Sequence, residues 1–358
     1  MIPRVDIELT ERCDNQCLHC YINQPAVDPD IMVRELDTAA WKEILQQSAD
    51  LGALTVRFTG GEPLLRDDFK ELYIFARRLG MKVQLFTNGR LITPKLAALL
   101  SHMPPLEKVE VTLYGTTPES YEAVSRVKGS FRKAVKGIEL LKQELVPFIV
   151  KGVVLPQNRE DLPHLDSFCQ SIHGMDTLPS IPMFLEKRAR RDCAACNRRI
   201  ETMRPEPEEV VRHIVQRHPE APGEWRHLVE QKHRPPGPGL FQCGAGASVS
   251  VDAYGIAQPC LSLRTPELCF DLAQGSIEEA LRHFNTLKNY EGKHPHYIEQ
   301  CSRCFLKSLC EQCPARSWSE HGNLDQPVDY LCRLTHAQAI EAGILREGEK
   351  GWLKKWRA

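Results

Sequence analysis

Fourteen cysteines stand in this 358-residue sequence, and their spacing is the first feature that could do chemistry. Cys13, Cys17 and Cys20 make a C-x3-C-x2-C run in Cys13-Asp14-Asn15-Gln16-Cys17-Leu18-His19-Cys20-Tyr21. Three thiolates on one tight loop can hold three irons of a cubane and leave the fourth iron without a protein ligand. That open iron is what a reactive cluster needs, whereas an electron-relay cluster is usually closed by a fourth Cys. A zinc site is the alternative, with His19 or His102 as fourth ligand. Two polar motifs follow, Thr59-Gly60-Gly61-Glu62-Pro63 and Thr87-Asn88-Gly89. Paired glycines let a ligand approach the backbone closely, and a carboxylate such as Glu62 can accept from an ammonium group.

A second set of thiols lies downstream: Cys243, Cys260, the run Cys301-x2-Cys304-x5-Cys310-x2-Cys313, and Cys332. They outnumber the ligands a single site can use. Read as zinc, the run makes one four-thiolate ribbon and leaves Cys243, Cys260 and Cys332 idle. Of the remaining cysteines, Cys169 shares an apolar helical face with Leu165, Phe168 and Ile172 and reads as inert core. Cys193 and Cys196 sit among arginines, which lower a thiol pKa. A hydrogen-atom donor, a redox pair, a metal site and incidental surface thiols all fit that pair.

These motifs need elements to position them. Strands are expected over Val5–Leu9, Leu54–Thr59, Lys82–Thr87, Val109–Leu113, Phe148–Leu155 and Leu178–Met183. Helices are expected between them: Asp37–Leu51 stopped by Gly52, Asp67–Leu79, Pro94–His102, Pro118–Lys142 broken near Gly129, and Leu162–Ile172. Strands alternating with helices imply parallel pairing with right-handed crossovers. A doubly wound sheet and a partial (β/α) barrel both satisfy the pattern. Either fold places its site at the carboxyl ends of the strands, where all three motifs fall.

Composition narrows the class. Lys and Arg total 46 against 47 Asp and Glu, a net charge of −1 that exerts no overall pull on nucleic acid or anionic membrane. No secretory signal is evident, and no apolar run approaches the roughly 18–20 residues of a membrane span. The expectation is a cytoplasmic protein whose clustered thiols bind metal rather than form disulfides. After Met183 the texture changes to an arginine-rich stretch, and Arg234-Pro235-Pro236-Gly237-Pro238-Gly239 reads as a linker.

The ordered set of C-x3-C-x2-C, GGEP and TNG resembles the radical S-adenosylmethionine (radical SAM) superfamily, over residues 4–184. The resemblance implies a partial (β/α)6 TIM-like barrel and a 4Fe–4S cluster on Cys13, Cys17 and Cys20, with SAM chelating the unique iron. It implies reductive cleavage of SAM to a 5′-deoxyadenosyl radical that abstracts a substrate hydrogen. Gly60, Gly61 and Glu62 match the segment that cradles the methionine amine, and Asn88 joins the SAM-binding set. Thr112 sits where relatives place a hydroxyl that reaches the ribose. Arg126 matches an arginine that meets the SAM carboxylate. Tyr114 departs from the more frequent Asp.

The later cysteines resemble a SPASM domain, a cysteine-rich extension with auxiliary clusters; Cys243-Gly244-Ala245-Gly246, Gly255 and Pro259-Cys260 match its opening. Transferred here, Cys243, Cys260 and Cys313 hold a first auxiliary 4Fe–4S cluster, with Cys269 a possible fourth ligand. Cys301, Cys304, Cys310 and Cys332 hold a second, making three clusters in all. The final gap of the compact run is two residues where many relatives have three. The expected divisions are 1–184 barrel, 185–240 bridge, 241–335 SPASM domain and 336–358 helical tail.

The resemblance further implies a ribosomally made peptide or protein as substrate, crosslinked or oxidised, and an external electron donor of flavodoxin or ferredoxin type. The chain begins almost at its first strand, so a separate leader-peptide recognition protein is expected if the substrate carries a leader. Arg188, Arg190, Arg191, Arg198 and Arg199 form a charge run that is solvated or steers an acidic segment. The alternatives are a radical SAM reaction on a small molecule such as a tetrapyrrole, and a non-catalytic zinc or iron–sulfur interaction protein. No nucleic acid or membrane partner is expected. No acid–base pair stands out, since such a cofactor carries the hard step.

Overall fold

Apolar and polar side chains alternate along Arg4–Thr10, and this strand, β1, lies inside a nine-stranded sheet. Val5, Ile7 and Leu9 point to one face and Asp6, Glu8 and Thr10 to the other; all six are buried. The computed structural model describes residues 2–22, 24–171, 180–181, 184–187, 194–232, 236–241 and 248–354. After β1, a short parallel ladder joins β2 (Arg12–Cys13) to β3 (Gln24–Pro25). Then come α1 (Pro29–Arg34), α2 (Thr38–Asp50), β4 (Thr55–Gly60), α3 (Phe69–Arg78), β5 (Lys82–Thr87) and α4 (Pro94–His102). The series closes with β6 (Leu106–Thr112), α5 (Pro118–Ser125), α6 (Ser130–Gln143), β7 (Phe148–Val153), α7 (Leu162–Gln170) and β8 (Ser180–Ile181).

Local chemistry explains the boundaries. Asp37 caps α2 by accepting from Ala40 N–H at 2.8 Å, and Gly52 takes φ +86° beyond its end. Thr93 caps α4, with Pro94 in the first turn. The expected 118–142 helix is two helices, because Arg126 and Gly129 both take the left-handed conformation, at φ +59° and +79°. Of the expected Leu178–Met183 strand, Ser180–Ile181 is described and pairs with β7.

Strand order decides between the two folds that periodicity allowed. β1, β4, β5, β6, β7 and β8 are neighbours in chain order, each pair parallel. A doubly wound sheet reverses its order at a switch point; this one does not. Every crossover therefore steps the same way and lays its helix on the same face, as in a partial barrel. That face carries Ile7, Phe58, Leu85, Val109 and Val150, packed in one core with Trp41, Leu45, Tyr73, Leu100 and Ile138. The opposite face is polar. Arg57 Nε donates to Gln84 at 2.9 Å, Gln84 donates to Glu110 at 2.5 Å, and Lys151 pairs with Glu110.

The region after Met183 folds differently from a linker. It contains α8 (Ala194–Met203), α9 (Pro207–Arg217) and α10 (Ala221–Gln231). Their charge density hid short apolar stripes such as Val210, Val211 and Ile214, which are enough to dock a helix. β9 (Val249–Val251), β10 (Ile256–Gln258) and β11 (Phe270–Asp271) then extend the main sheet, β9 pairing parallel with β1, and α11 (Ile277–Phe284) packs into the same core. Residues within the expected 241–335 segment are thus divided. One unit comprises Met1–Leu185, Ala189–Met203 and Ala245–Asn285; the other comprises Glu186–Arg188, Arg204–Gly244 and Thr286–Ala358.

The second unit is built around α9 and α10 with α12 (Pro295–Glu299), α13 (Pro314–His321) and α14 (Asp329–Glu341). Val210 and Val211 pack on Leu334, and Val229, Leu306, Leu309, Ala339 and Leu345 form a small separate core. Residues 351–354 are turn rather than the expected helix end. Among the described residues no helix is long and apolar enough to cross a membrane.

Candidate functional site

Cys13 ends β2, and Cys17 and Cys20 lie on the loop that follows, at the carboxyl end of β1. The loop is held by backbone bonds to the end of α5: Gln16 N–H donates to Ser125 at 2.9 Å and Leu18 N–H to Val124 at 3.1 Å. Those carbonyls immediately precede Arg126, which is exposed. Arg90, whose side chain is 7% exposed, reaches into the same loop. It donates to Asn15 Oδ1 at 2.7 Å and to the Asp14 carbonyl, and pairs with the Asp14 carboxylate at 3.1 Å. Asn88 donates to Asp14 at 2.7 Å and lies 3.9 Å from Cys13 Sγ. The thiols are consequently fixed from both sides.

Burial pushes the Cys17 thiol up to about 12, aided by the neighbouring Cys20, and raises Cys13 through burial and the nearby Glu62. The Tyr114 hydroxyl pulls the other way through a hydrogen bond to Cys17. A bound cationic centre would favour the thiolate form of thiols this buried. His19, lowered to about 4 by burial, is neutral and meets Tyr114 edge-on at 5.4 Å.

Gly60 and Gly61 serve this loop directly. A Cβ on Gly61 would lie 2.2 Å from the Arg12 carbonyl oxygen and 2.6 Å from that of Glu11; one on Gly60, at φ +121°, would lie 2.3 Å from Thr10 O. The close approach expected of a ligand is here made by the chain itself. Gly61 N–H donates to Thr10 at 2.7 Å and Glu62 N–H to Arg12 at 2.8 Å. Glu62 is fully buried, and its carboxylate accepts from Thr87 Oγ1 and Asn88 N–H, both at 2.8 Å, and from Leu64 N–H at 3.1 Å. It thereby ties the GGEP turn to the TNG turn. Burial raises its carboxyl to about 7 against those donors. Thr112 is the half-buried last residue of β6, opposite Lys151.

The second unit gathers four expected ligands. Cys301, Cys304, Cys310 and Cys332 line one cavity of about 350 Å³, with Gln312, Thr335, His336 and Trp352 on its wall. Burial raises all four thiols, with mutual repulsion adding at Cys301, Cys304 and Cys332, the last two to about 12. Among the described residues no group of three His, Cys, Asp or Glu is set to hold a single metal ion. Gln312 fixes the Cys310–Cys313 turn against the start of α14, donating to Val328 O at 2.6 Å and accepting from Val328 N–H at 3.1 Å.

The other expected auxiliary ligands are divided between the two units. Cys260 and Cys269 belong to the first unit and Cys313 to the second, where Cys313 caps α13; Cys243 lies outside the described residues. Cys169 is buried in the main core. Cys196, on α8, is disulfide-bonded, and Cys193 lies outside the described residues with Arg188, Arg190 and Arg191. Arg198 and Arg199 are exposed. Sequence reading missed Arg90 and Gln312, because nothing in an isolated Arg or Gln announces a loop lock. It also missed the buried pair of Arg264 with Glu8 at 2.7 Å, which ties the Cys260 hairpin to β1.

The model of the radical SAM superfamily matches residues 7–169. The PqqA peptide cyclase of Gluconobacter oxydans (strain 621H) is 33% identical over 166 residues, 46% of this chain and 45% of that protein. The Fe-coproporphyrin III synthase of Methanosarcina barkeri is 32% identical over 161 residues, 45% of this chain and 39% of that protein. The matched part spans less than half the length of either relative. The crystal structure of Streptococcus suis SuiB bound to precursor peptide SuiA shares the fold, at TM-score 0.62 and 16% identity over 92% of this chain and 76% of that one.

Proposed function

Residues 7–169 are a radical SAM domain, and from that premise we propose that this chain reductively cleaves SAM and uses the 5′-deoxyadenosyl radical to abstract hydrogen from a peptide. One arrangement carries the reading: a three-cysteine loop at the carboxyl end of β1, clamped by Gly60, Gly61 and Asn88 on one side and by α5 on the other. Cys13, Cys17 and Cys20 would hold a 4Fe–4S cluster. With SAM bound, that cluster supplies the electron that breaks a carbon–sulfur bond and frees the radical.

The protein's part is positioning. Glu62 locks the two turns that border the cluster loop, Arg90 and Asp14 fix the loop's span, and Tyr114 donates to Cys17. Thr112 at the end of β6 would reach the ribose of SAM, and Arg126 beside the loop its carboxylate. Cys301, Cys304, Cys310 and Cys332 would bind an auxiliary 4Fe–4S cluster, and Cys243, Cys260 and Cys313, with Cys269, another. An electron donor of flavodoxin or ferredoxin type would reduce the chain, and a leader-peptide recognition protein would present the substrate.

A peptide substrate is supported by the peptide cyclase among the relatives and by the peptide-bound neighbour. The Fe-coproporphyrin III synthase among the relatives supports the tetrapyrrole reading. Anaerobic turnover with short peptides encoded beside this chain, followed by mass spectrometry, separates the two. A mass loss of two hydrogens, or a crosslink, on the peptide is expected. An unmodified peptide together with a bound, altered porphyrin would overturn the peptide assignment.

A further inference from the structure

The thiol-lined cavity of the second unit is closed on one side by the end of the described chain. Phe305 N–H donates to the Gly351 carbonyl at 3.0 Å, and Gly351 N–H donates to His336 Nε2, also at 3.0 Å. The Trp352 ring meets His336 edge-on with centroids 5.3 Å apart. The strap runs so close that a Cβ on Gly351 would lie 2.9 Å from Cys304 Sγ and 3.0 Å from the Leu306 side chain. Only glycine fits there without displacing a thiol.

This contact fixes the state of His336. A backbone N–H can only donate, so Nε2 is the acceptor, and the neutral ring carries its proton on Nδ1. Nδ1 lies 2.7 Å from the Cys332 carbonyl oxygen and 3.6 Å from Cys332 Sγ. The proton is thus shared between the backbone and the sulfur of one and the same cysteine. Imidazoles set this way, by a partner on the far nitrogen, orient and tune metal ligands elsewhere.

We propose that His336, its tautomer set by Gly351, is a positioning residue that donates to the Cys332 thiolate and raises the reduction potential of an auxiliary cluster on Cys301, Cys304, Cys310 and Cys332. The inference rests on the reading that those four thiols bind a cluster. A reduced cluster carries one more negative charge than an oxidised one, and a donor on a ligand sulfur stabilises the more negative form. The strap at Gly351 adds specificity: it leaves the imidazole one orientation, with the Nδ1 donor toward Cys332 rather than toward solvent.

The test uses the full-length chain with Cys13, Cys17 and Cys20 replaced by Ala, so that auxiliary clusters alone remain, and reads midpoint potentials by EPR-monitored titration. The relevant signal is the one lost in a further Cys301→Ala variant. If no such signal exists in the parent, the cluster reading fails and the inference falls with it. Given the signal, His336→Phe is expected to lower its potential, and His336→Gln, whose amide can accept from Gly351 and donate to Cys332, to restore it toward the parent value. Equal potentials in the parent and the Phe variant, or an equal shift in Phe and Gln, would overturn the inference while leaving the cluster reading intact. Should the Phe variant fail to assemble, pulsed EPR of the parent with 15N-histidine decides: a histidine nitrogen coupled to the cluster and lost in His336→Gln supports the donor, and its absence overturns it.

Discussion

Gly61→Ala is the most telling single perturbation of the cluster loop. Its Cβ would stand 2.2 Å from Arg12 O and 2.6 Å from Glu11 O, both backbone atoms of the strand that delivers Cys13. Bringing the first contact to even about 3 Å requires the two segments to part by roughly 0.8 Å. The bonds from Gly61 N–H to Thr10 and from Glu62 N–H to Arg12, at 2.7 and 2.8 Å, would then exceed hydrogen-bonding length. Two lost bonds cost about 1–3 kcal/mol and overpacking about 1–3 kcal/mol more, so a loss of about 2–6 kcal/mol is expected. Gly80→Ala is the control: Gly80 has φ +81° but nothing within 4 Å of its would-be Cβ, so only the left-handed backbone cost of about 1–2 kcal/mol applies. Anaerobic urea unfolding of the metal-free chains gives the stabilities, and iron and sulfide content after reconstitution gives the state of the loop. Gly61→Ala should lose more stability than Gly80→Ala and should also lose iron, whereas Gly80→Ala should keep its iron. A Gly61→Ala chain within about 0.5 kcal/mol of the parent and fully loaded with iron would refute the argument that close backbone packing shapes this loop.

Three further outcomes are expected. Burial raises Glu62 to about 7 from an ordinary 4.5, with Asp14 pushing the same way and its hydrogen-bond donors opposing; the native state therefore binds that proton more tightly than the unfolded chain. The corresponding stability is present below about pH 4.5 and lost as pH rises through about 7, so the stability difference between the metal-free parent and Glu62→Gln should fall by about 2–3 kcal/mol from pH 5 to pH 8; a pH-independent difference by urea unfolding would contradict the burial argument. Arg264→Met removes the guanidinium paired with the buried carboxylate of Glu8 and should cost about 3–5 kcal/mol, read as a lowered urea midpoint; an unchanged midpoint would show the pair to be dispensable. Replacing Cys301 and Cys304 by Ala should spare some uncoupled SAM cleavage while stopping peptide conversion, and a variant fully active in both assays would refute an auxiliary role for those thiols.

The strand–helix series was legible because β1, β4, β5, β6 and β7 carry buried apolar residues and helices such as α2 and α4 carry a cap or stop, as with Asp37, Thr93 and Gly52. Which fold the series makes was not, since periodicity says nothing of strand order; the unreversed order β1-β4-β5-β6-β7-β8 supplies it. The helices α8 to α10 were hidden because charge outnumbers the few apolar positions that dock them. β9 to β11 were hidden because strands of two or three residues carry no period at all. At the site, C-x3-C-x2-C and GGEP were visible as spacing. Their relation was not: Gly61 presses on Arg12, and Glu62 bridges to Thr87 and Asn88, through contacts more than twenty residues apart. Arg90 and His336 act through single hydrogen bonds, which leave no pattern in a sequence.

The central claim is that Cys13, Cys17 and Cys20 support reductive cleavage of SAM. Its most direct test is anaerobic incubation of the reconstituted chain with SAM and dithionite, with 5′-deoxyadenosine measured by chromatography and mass spectrometry. The account predicts 5′-deoxyadenosine from the parent and none from the chain in which those three cysteines are Ala. A chain that loads zinc in place of iron and sulfide, and yields no 5′-deoxyadenosine, would contradict it.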